Sequence, residues 1–328
     1  MKGWRIREFG DPEVLDLVEM EAPRPGADDV VVRVAAAGVN RADLLQRQGF
    51  YPPPPGFDPY LPGLEYAGVV ESVGSRVTLR KPGDRVMGIV AGGGYAQNVV
   101  VNARETVAVP SGMDLTDAGA IPEAFLTAYR AVFLEGGLRR NELCVVRGAT
   151  SGVGLAAVQL IAALGARSLG TSRSAERLQR VADIGLDHSC VEGEGSLRDA
   201  VKAAGDRSGA AVVVDFVGGD GVADGLAALR EEGTLVLVGL MAGRQANIDL
   251  GRVLMRRLRL QAMTMRSLPL ERRISLAREF ESIVLPLFDQ GALRPVLDRV
   301  LPFAEAPEAH RRMAGGTHCG KIVLTLEG

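Results

Sequence analysis

The chain has 328 residues, 47% hydrophobic and 24% charged, with a formal net charge of −2. That length calls for more than one core, and the balance excludes a disordered chain. The near-neutral charge and 5% aromatic content argue against a surface that tracks nucleic-acid phosphates or stacks bases.

Three cysteines, Cys144, Cys190 and Cys319, stand far apart without a CxxC pair, as expected of reduced thiols in a cytoplasmic protein. The N-terminal residues are charged where a signal peptide would be apolar, and no apolar run approaches the ~18 residues of a membrane span. A soluble protein without a membrane partner is expected.

The first third reads as short β-branched strands at 29–34, 66–73, 84–90 and 95–101, broken by Gly83-Asp84 and Gly92-Gly93-Gly94. This pattern predicts a small, mostly antiparallel, barrel-like domain. From Glu142 the rhythm changes. Strands at 142–147, 166–171, 211–216 and 234–240 alternate with helices at 152–164, 175–184 and 221–230. Alternation of this kind predicts βαβ units and a parallel sheet. Beyond Leu240 the expectations are an edge strand at 257–263, a helix at 270–285 that meets Pro286, and strands at 296–301 and 321–326 flanking a helix at 304–313.

The strand ending at Arg147 runs straight into Gly148-Ala149-Thr150-Ser151-Gly152-Val153-Gly154, and a helix follows. Strand, glycine-rich turn and helix N-terminus together make a pyrophosphate cradle. Free N–H groups face the anion, Gly152 lets the backbone approach it, and Gly154 lets helix and strand pack closely. Gly148, Ala149, Ser151, Gly152, Val153 and Gly154 are therefore candidate cofactor contacts. Ser151 is expected to touch the cofactor and not to act as a nucleophile, since no histidine is near it in sequence.

The next strand end distinguishes the nicotinamide cofactors. It reads Gly170-Thr171-Ser172-Arg173-Ser174-Ala175-Glu176-Arg177, with no acid placed to accept from a ribose 2′-hydroxyl. Arg173, Ser174 and Arg177 suit a 2′-phosphate, so NADPH is the expected cofactor. The plain structural alternative is an N-capping Ser174 followed by a solvated arginine face. Glu192 is the objection, because a carboxylate facing that site would repel a phosphate. Gly218, Gly239 and Leu240 lie at the ends of later strands, where open α/β sheets bind ligands.

With these residues in place, the chain resembles the zinc-free quinone oxidoreductases, the zeta-crystallin-like family of the medium-chain dehydrogenase/reductase superfamily. Within it, the chain is similar to the p53-inducible quinone oxidoreductase branch. The matching segments include Gly38-Val39-Asn40-Arg41-Ala42-Asp43-Leu44, Gln46 to Gly56, Leu64-Glu65-Tyr66-Ala67-Gly68, Ala120 to Tyr129, Ser151-Gly152-Val153-Gly154 and Gly320-Lys321-Ile322-Val323-Leu324. The resemblance implies a GroES-like β-rich catalytic domain at 1–118, a Rossmann doubly wound parallel-sheet domain at 119–263, and a segment at 264–328 that returns to the catalytic domain. It implies an active site in the cleft between the domains, and a homodimer or homotetramer formed through Rossmann edge strands, here 257–263.

Zinc relatives place a cysteine and a His-Glu pair where this chain has Asn40 and Leu64-Glu65, so no metal site is expected. His188, His310 and His318 do not cluster with the cysteines at ligand spacing, and His188-Ser189-Cys190 reads as strand. Without Lewis-acid polarisation the acceptor must already be electron-poor. A quinone or an activated enone fits, and the resemblance implies NADPH-dependent quinone reduction. The alternatives are an enoyl or enone reductase and a low-turnover protein that binds NADPH or RNA. By the resemblance, Tyr51 is the substrate-side phenol, Asn40 an amide for acceptor or nicotinamide ribose, and Thr127 the hydroxyl behind the nicotinamide, while Lys321 reaches the cofactor from the returning segment. Gln46 reads as a solvated helix position.

Overall fold

Valine dominates the strands at the start of the chain, and its β-branched side chain favours the pleated, half-buried geometry they adopt. In the computed structural model, which describes residues 1–326, these strands belong to a unit formed by Met1–Leu126 and the chain from Met265 onward. Positions 327 and 328 of the expected returning segment lie outside the described residues.

In this unit β1 (Lys2–Ile6) pairs antiparallel with β2 (Leu15–Glu19). The larger sheet contains β3 (Asp29–Val39), β4 (Glu65–Val73), β5 (Arg85–Ile89), β6 (Asn98–Asn102) and β7 (Val107–Ala108). Its order is β14-β15-β3-β4-β5-β7, with β6 also on β3; β14 (Leu297–Pro302) and β15 (Lys321–Thr325) come from the far end of the chain. All pairs are antiparallel except β14 with β15. The register of β3 on β4 shifts twice, at Val31/Val32 and Val34/Ala36. Such bulges increase local twist and let a sheet curl round its core. Val30, Val32, Val34, Tyr66, Val86, Ile322 and Leu324 fill that core, each almost wholly buried.

The second unit, Thr127–Thr264, is a Rossmann sheet. It comprises β8 (Leu143–Arg147), β9 (Arg167–Ser172), β10 (His188–Val191), β11 (Ala210–Asp215), β12 (Leu229–Leu237) and β13 (Arg259–Ala262). Every neighbouring pair is parallel, in the order β10-β9-β8-β11-β12-β13. Leu143, Val145, Leu169, Val213 and Leu235 lie in its core. The chain reverses its direction of travel across the sheet between β8 and β11, so their C-terminal ends mark the switch point where open α/β sheets receive ligands.

Several boundaries differ from the sequence reading. Residues 119–126 group with the β-rich unit. The Glu123 N–H donates to Glu65 Oε2 at 2.9 Å, and Phe125 packs edge-on against Phe288 at 4.9 Å. The strand expected at 234–240 spans Leu229–Leu237, because the N–H groups of Val238 and Gly239 both turn to the Asp215 carbonyl. His188 to Cys190 do form strand. The helix expected around Phe125 to Tyr129 is irregular. A π turn over Pro122–Leu126 leads into one α turn, Thr127–Tyr129, and a second π turn over Arg130–Glu135. Interrupted helices of this kind recur at functional sites.

Candidate cofactor cradle and buried polar cluster

The turn after β8 is shaped for close backbone approach. Gly148 has φ +79°, a conformation that favours glycine. A Cβ at Gly154 would lie 2.3 Å from the Gly148 carbonyl oxygen and 2.7 Å from Ala149 Cα, so only hydrogen fits. Ser151 caps the helix Gly152–Ala163, its hydroxyl donating to the Gly148 carbonyl at 2.8 Å and accepting from the Gly154 N–H at 3.0 Å. That hydroxyl shapes the turn. Ala149 is wholly buried and donates its N–H to the Thr171 carbonyl. The N–H groups of Gly152 and Val153 have no backbone partner among the described residues. They lie at the positive end of the helix dipole, where an anion is stabilised.

Gly218, Gly239 and Leu240 come together beyond the ends of β11 and β12. Gly218 has φ +72° and donates its N–H to Asp215 Oδ1 at 2.9 Å. A Cβ there would lie 2.9 Å from the Gly239 carbonyl oxygen, and one at Gly239 would lie 2.3 Å from that of Phe216. The Leu240 side chain beside them is exposed.

At the end of β9, Arg173 is exposed. Ser174 caps the helix Ala175–Ala182 by accepting from the Arg177 N–H at 3.3 Å, and Glu176 pairs with Arg180 one turn on. Glu192 accepts from Thr171 Oγ1 at 2.8 Å and stands 3.8 Å from Arg147, whose guanidinium donates to buried Asp215 at 2.6 Å. The Glu192 carboxylate is therefore tied down beside a guanidinium. Sequence reasoning passed over Arg147. Its signal was a cation ending an otherwise apolar strand, which requires a buried partner.

The β-rich unit holds a second constellation. Lys321 Nζ donates to Asn40 Oδ1 and Glu65 Oε1, both at 2.5 Å, and to the Val39 carbonyl at 3.3 Å. Asn40 Nδ2 donates to Glu65 Oε1 at 2.8 Å. All three ammonium donors are engaged, which removes Lys321 from the cofactor-binding set. Asn40 is corrected likewise. Its amide bridges Glu65 and Lys321, the second Nδ2 hydrogen goes to the Gly38 carbonyl at 3.4 Å, and its N–H bonds to Asp43, so it organises the cluster and all its donors are engaged within it. Gln46 is not a solvated helix residue. It is 1% exposed, with Nε2 donating to the Pro59 and Leu61 carbonyls and Oε1 accepting from Arg266.

Arg266, unforeseen in the sequence, organises the Tyr51 side of this cluster. It donates to the carbonyls of Ala91 (2.6 Å) and Tyr51 (2.7 Å) and to Gln46 (2.9 Å), and its guanidinium lies 5.3 Å from the Tyr51 ring centre. Burial, and next the Glu123 carboxyl, push the Tyr51 phenol up to about 12, so it remains a hydroxyl donor at any physiological pH. Burial also pushes Asp43 up to about 6, against hydrogen bonds from the Asn40 N–H and the Tyr95 hydroxyl. Glu123 rises to about 8, through burial first and the Glu65 carboxylate second. Its Oε2 is buried without a hydrogen-bond partner, as is the hydroxyl of Thr127. The i−4 backbone bond that a helical threonine often makes is therefore not made at Thr127.

Among the described residues no group of three His, Cys, Asp or Glu is disposed to hold a metal ion. No described helix is long and apolar enough to cross a membrane.

A β-rich unit with a glycine-cradled Rossmann unit inserted in it defines a two-domain dehydrogenase or reductase. The family "Alcohol dehydrogenase GroES-like domain" matches residues 26–111, and "Zinc-binding dehydrogenase" matches residues 152–282. Quinone oxidoreductase of Lama guanicoe is 30% identical, with 100% of this chain and 98% of that one covered. The human synaptic vesicle membrane protein VAT-1 homolog is 30% identical over 92% of this chain and 80% of its own. Among solved structures, a Pseudomonas syringae quinone oxidoreductase matches with TM-score 0.88 at 27% identity, covering 99% of each chain. A mycobacterial protein complexed with NADPH matches with TM-score 0.89 at 27% identity, covering 99% of this chain and 100% of that one. The chain belongs to the quinone oxidoreductases of the medium-chain dehydrogenase/reductase superfamily.

Proposed function

We propose that this protein uses NADPH to reduce quinones. The observation that carries the reading is the cradle at Gly148 to Gly154, where two unpartnered N–H groups and a glycine that tolerates no side chain meet at a helix N-terminus. That arrangement fits a pyrophosphate. Exposed Arg173, with Arg177 and Ser174 at the next helix start, suits a 2′-phosphate. Glu192 weighs little against it, since Thr171 and Arg147 hold its carboxylate. The relative complexed with NADPH supports the same cofactor.

When bound, the dihydronicotinamide supplies a hydride. The chain's own part is to hold both reactants and keep protons available. Gly218, Gly239 and Leu240 line the strand ends, and the unpartnered Thr127 hydroxyl is suited to a carboxamide. The Tyr51 phenol, neutral and fixed under Arg266, is suited to donate to an acceptor oxygen. Neither a thiolate nor an imidazole stands at Asn40 or Leu64, so the polarisation falls to hydrogen bonds and the acceptor must be electron-poor.

The purified protein is expected to oxidise NADPH in the presence of simple benzoquinones or naphthoquinones, followed as loss of dihydronicotinamide absorbance. Silence across a broad quinone panel would sink the reading. The same proposal includes an oligomer. All four residues of β13 are exposed at the sheet edge, and such edges need covering. A second copy pairing there would double the mass in solution, which light scattering would detect.

A further inference from the structure

Four strand ends of the Rossmann unit meet around one buried guanidinium. Arg147 closes β8 and donates to Asp215 Oδ2 of β11 at 2.6 Å. Asp215 Oδ1 accepts in turn from the N–H groups of Val217 and Gly218, at 2.8 and 2.9 Å. A Cβ at Gly221 would overlap the guanidinium, so that glycine leaves the room it occupies. Nη2 of Arg147 lies 3.8 Å from Oε1 of Glu192, the first residue past β10. The same oxygen accepts from Thr171 Oγ1 of β9 at 2.8 Å. Arg147, Thr171 and Asp215 are buried, while the Glu192 side chain keeps 26% exposure.

The strand register shows what Glu192 is held away from. β10 runs parallel to β9 with Val191 opposite Ser172, and the Glu192 N–H continues the pairing by donating to the Ser172 carbonyl at 2.9 Å. The next step along the two chains sets Glu192 beside Arg173, about 5 Å away between backbones. Arg173 is exposed and makes no ion pair among the described residues. The carboxylate is turned onto Thr171 and Arg147 instead. This strand end is also fixed to the glycine turn: the Thr171 carbonyl accepts from the Ala149 N–H at 3.0 Å, and Ser172 Oγ lies 3.3 Å from Thr150 Oγ1. In an open α/β sheet that strand end receives the ribose with its 2′ group. A carboxylate there accepts from a 2′-hydroxyl and repels a 2′-phosphate.

We infer that Thr171, together with Arg147, is a positioning residue that sets the preference for NADPH over NADH by holding the Glu192 carboxylate away from Arg173. The inference rests on the NADPH reading and names the residues that make an acidic strand end compatible with it. Held at Oε1, the carboxylate stays beside a guanidinium that offsets its charge, and Arg173 keeps its own charge for a phosphate. Released, the carboxylate pairs with Arg173 or accepts from the ribose 2′-hydroxyl of NADH, and either outcome favours NADH. Arg147 has a second duty toward Asp215. The Thr171 hydroxyl has only the one, which makes it the place to test the device.

Calorimetric titration of the full-length protein with NADPH and with NADH, no acceptor present, reads the preference as a ratio of Kd values. T171V keeps the side-chain shape and deletes the donor. It is expected to cut the preference for NADPH by about tenfold, as for one hydrogen bond to a charged group. T171S retains the hydroxyl and is expected to keep the wild-type ratio. E192Q alone is expected to leave the ratio close to wild type, and in the T171V background to restore it, so the two positions couple in a double-mutant cycle. An unchanged ratio in T171V, or a T171V loss that E192Q does not reverse, would overturn the inference while leaving the cofactor reading intact. Should circular dichroism show T171V to be misfolded, E192D takes its place. Its carboxyl falls short of Thr171, the same tenfold fall is expected, and an unchanged ratio counts equally against the device. A wild type that binds neither dinucleotide, or binds NADH more tightly, would overturn the NADPH reading and the inference with it.

Discussion

The cradle of the Rossmann unit and the polar cluster of the β-rich unit are built on opposite principles. The cradle is made of backbone. Its working groups are N–H donors at Gly152 and Val153, and its essential residue, Gly154, matters for the side chain it lacks. The cluster is made of side chains drawn from positions as distant as Asn40 and Lys321, 281 residues apart. A backbone site is local and tolerates variation around it. A side-chain cluster is cooperative, and each member's charge state depends on its neighbours.

That contrast breaks most visibly at Lys321. Lys321→Met leaves Glu65 buried without its cation, and about 3–5 kcal/mol of stability should disappear, read as a large fall in the denaturation midpoint. A melting curve like that of wild type would mean the cluster is not cooperative. Gly154→Ala places a methyl group against the Gly148 carbonyl. NADPH affinity should fall by about a hundredfold through the steric conflict in the packed turn, while the fold persists by circular dichroism; unchanged affinity in an NADPH titration would refute the backbone cradle. The Arg173→Ala, Arg177→Ala pair should erode the preference for NADPH over NADH by about tenfold or more, and an unaltered ratio of kcat/KM would remove both arginines from the 2′-phosphate site. Tyr51→Phe keeps the ring under Arg266 and deletes the donor. A several-fold loss in quinone turnover is expected, on the order of one hydrogen bond, and unchanged kinetics would reduce Tyr51 to packing. Thr127→Val should leave stability unchanged or slightly raised, since it deletes an unpartnered buried hydroxyl, and should weaken cofactor binding by a few-fold. A clear loss of stability without that weakening would show the hydroxyl to be structural.

Legibility in the sequence follows the same division. The glycine turn, its strand and its helix are adjacent in the chain, so spacing alone locates them. The parallel sheet was readable because each of its strands is a short apolar run flanked by helical periodicity. The cluster was readable only in outline. Asn40 and Lys321 carry the right chemistry for binding a ligand, but each satisfies the other, and no local pattern records a partner 281 positions away. Gln46 looks solvated beside Arg47 and Gln48 until Arg266, 220 residues on, is folded against it. Glu123 stood inside a segment read for its resemblance, and only the π turn gives its carboxyl a distinct environment. The domain boundary near 118 missed residues 119–126 for a similar reason, since their attachment runs through Glu65 and Phe288.

The placement of β15 between β14 and β3 bears on the order in which the molecule is made. The Rossmann unit is one continuous stretch, Thr127–Thr264, and can complete its sheet while the ribosome is still extending the chain. The β-rich unit cannot. Its early strands must wait for residues 297–325 to close a very long loop, and until Lys321 arrives the Glu65 carboxylate has no cation. Non-local pairing of this kind slows folding. A nascent chain stalled before residue 321 should therefore resist protease across its middle while its N-terminal third is still cut.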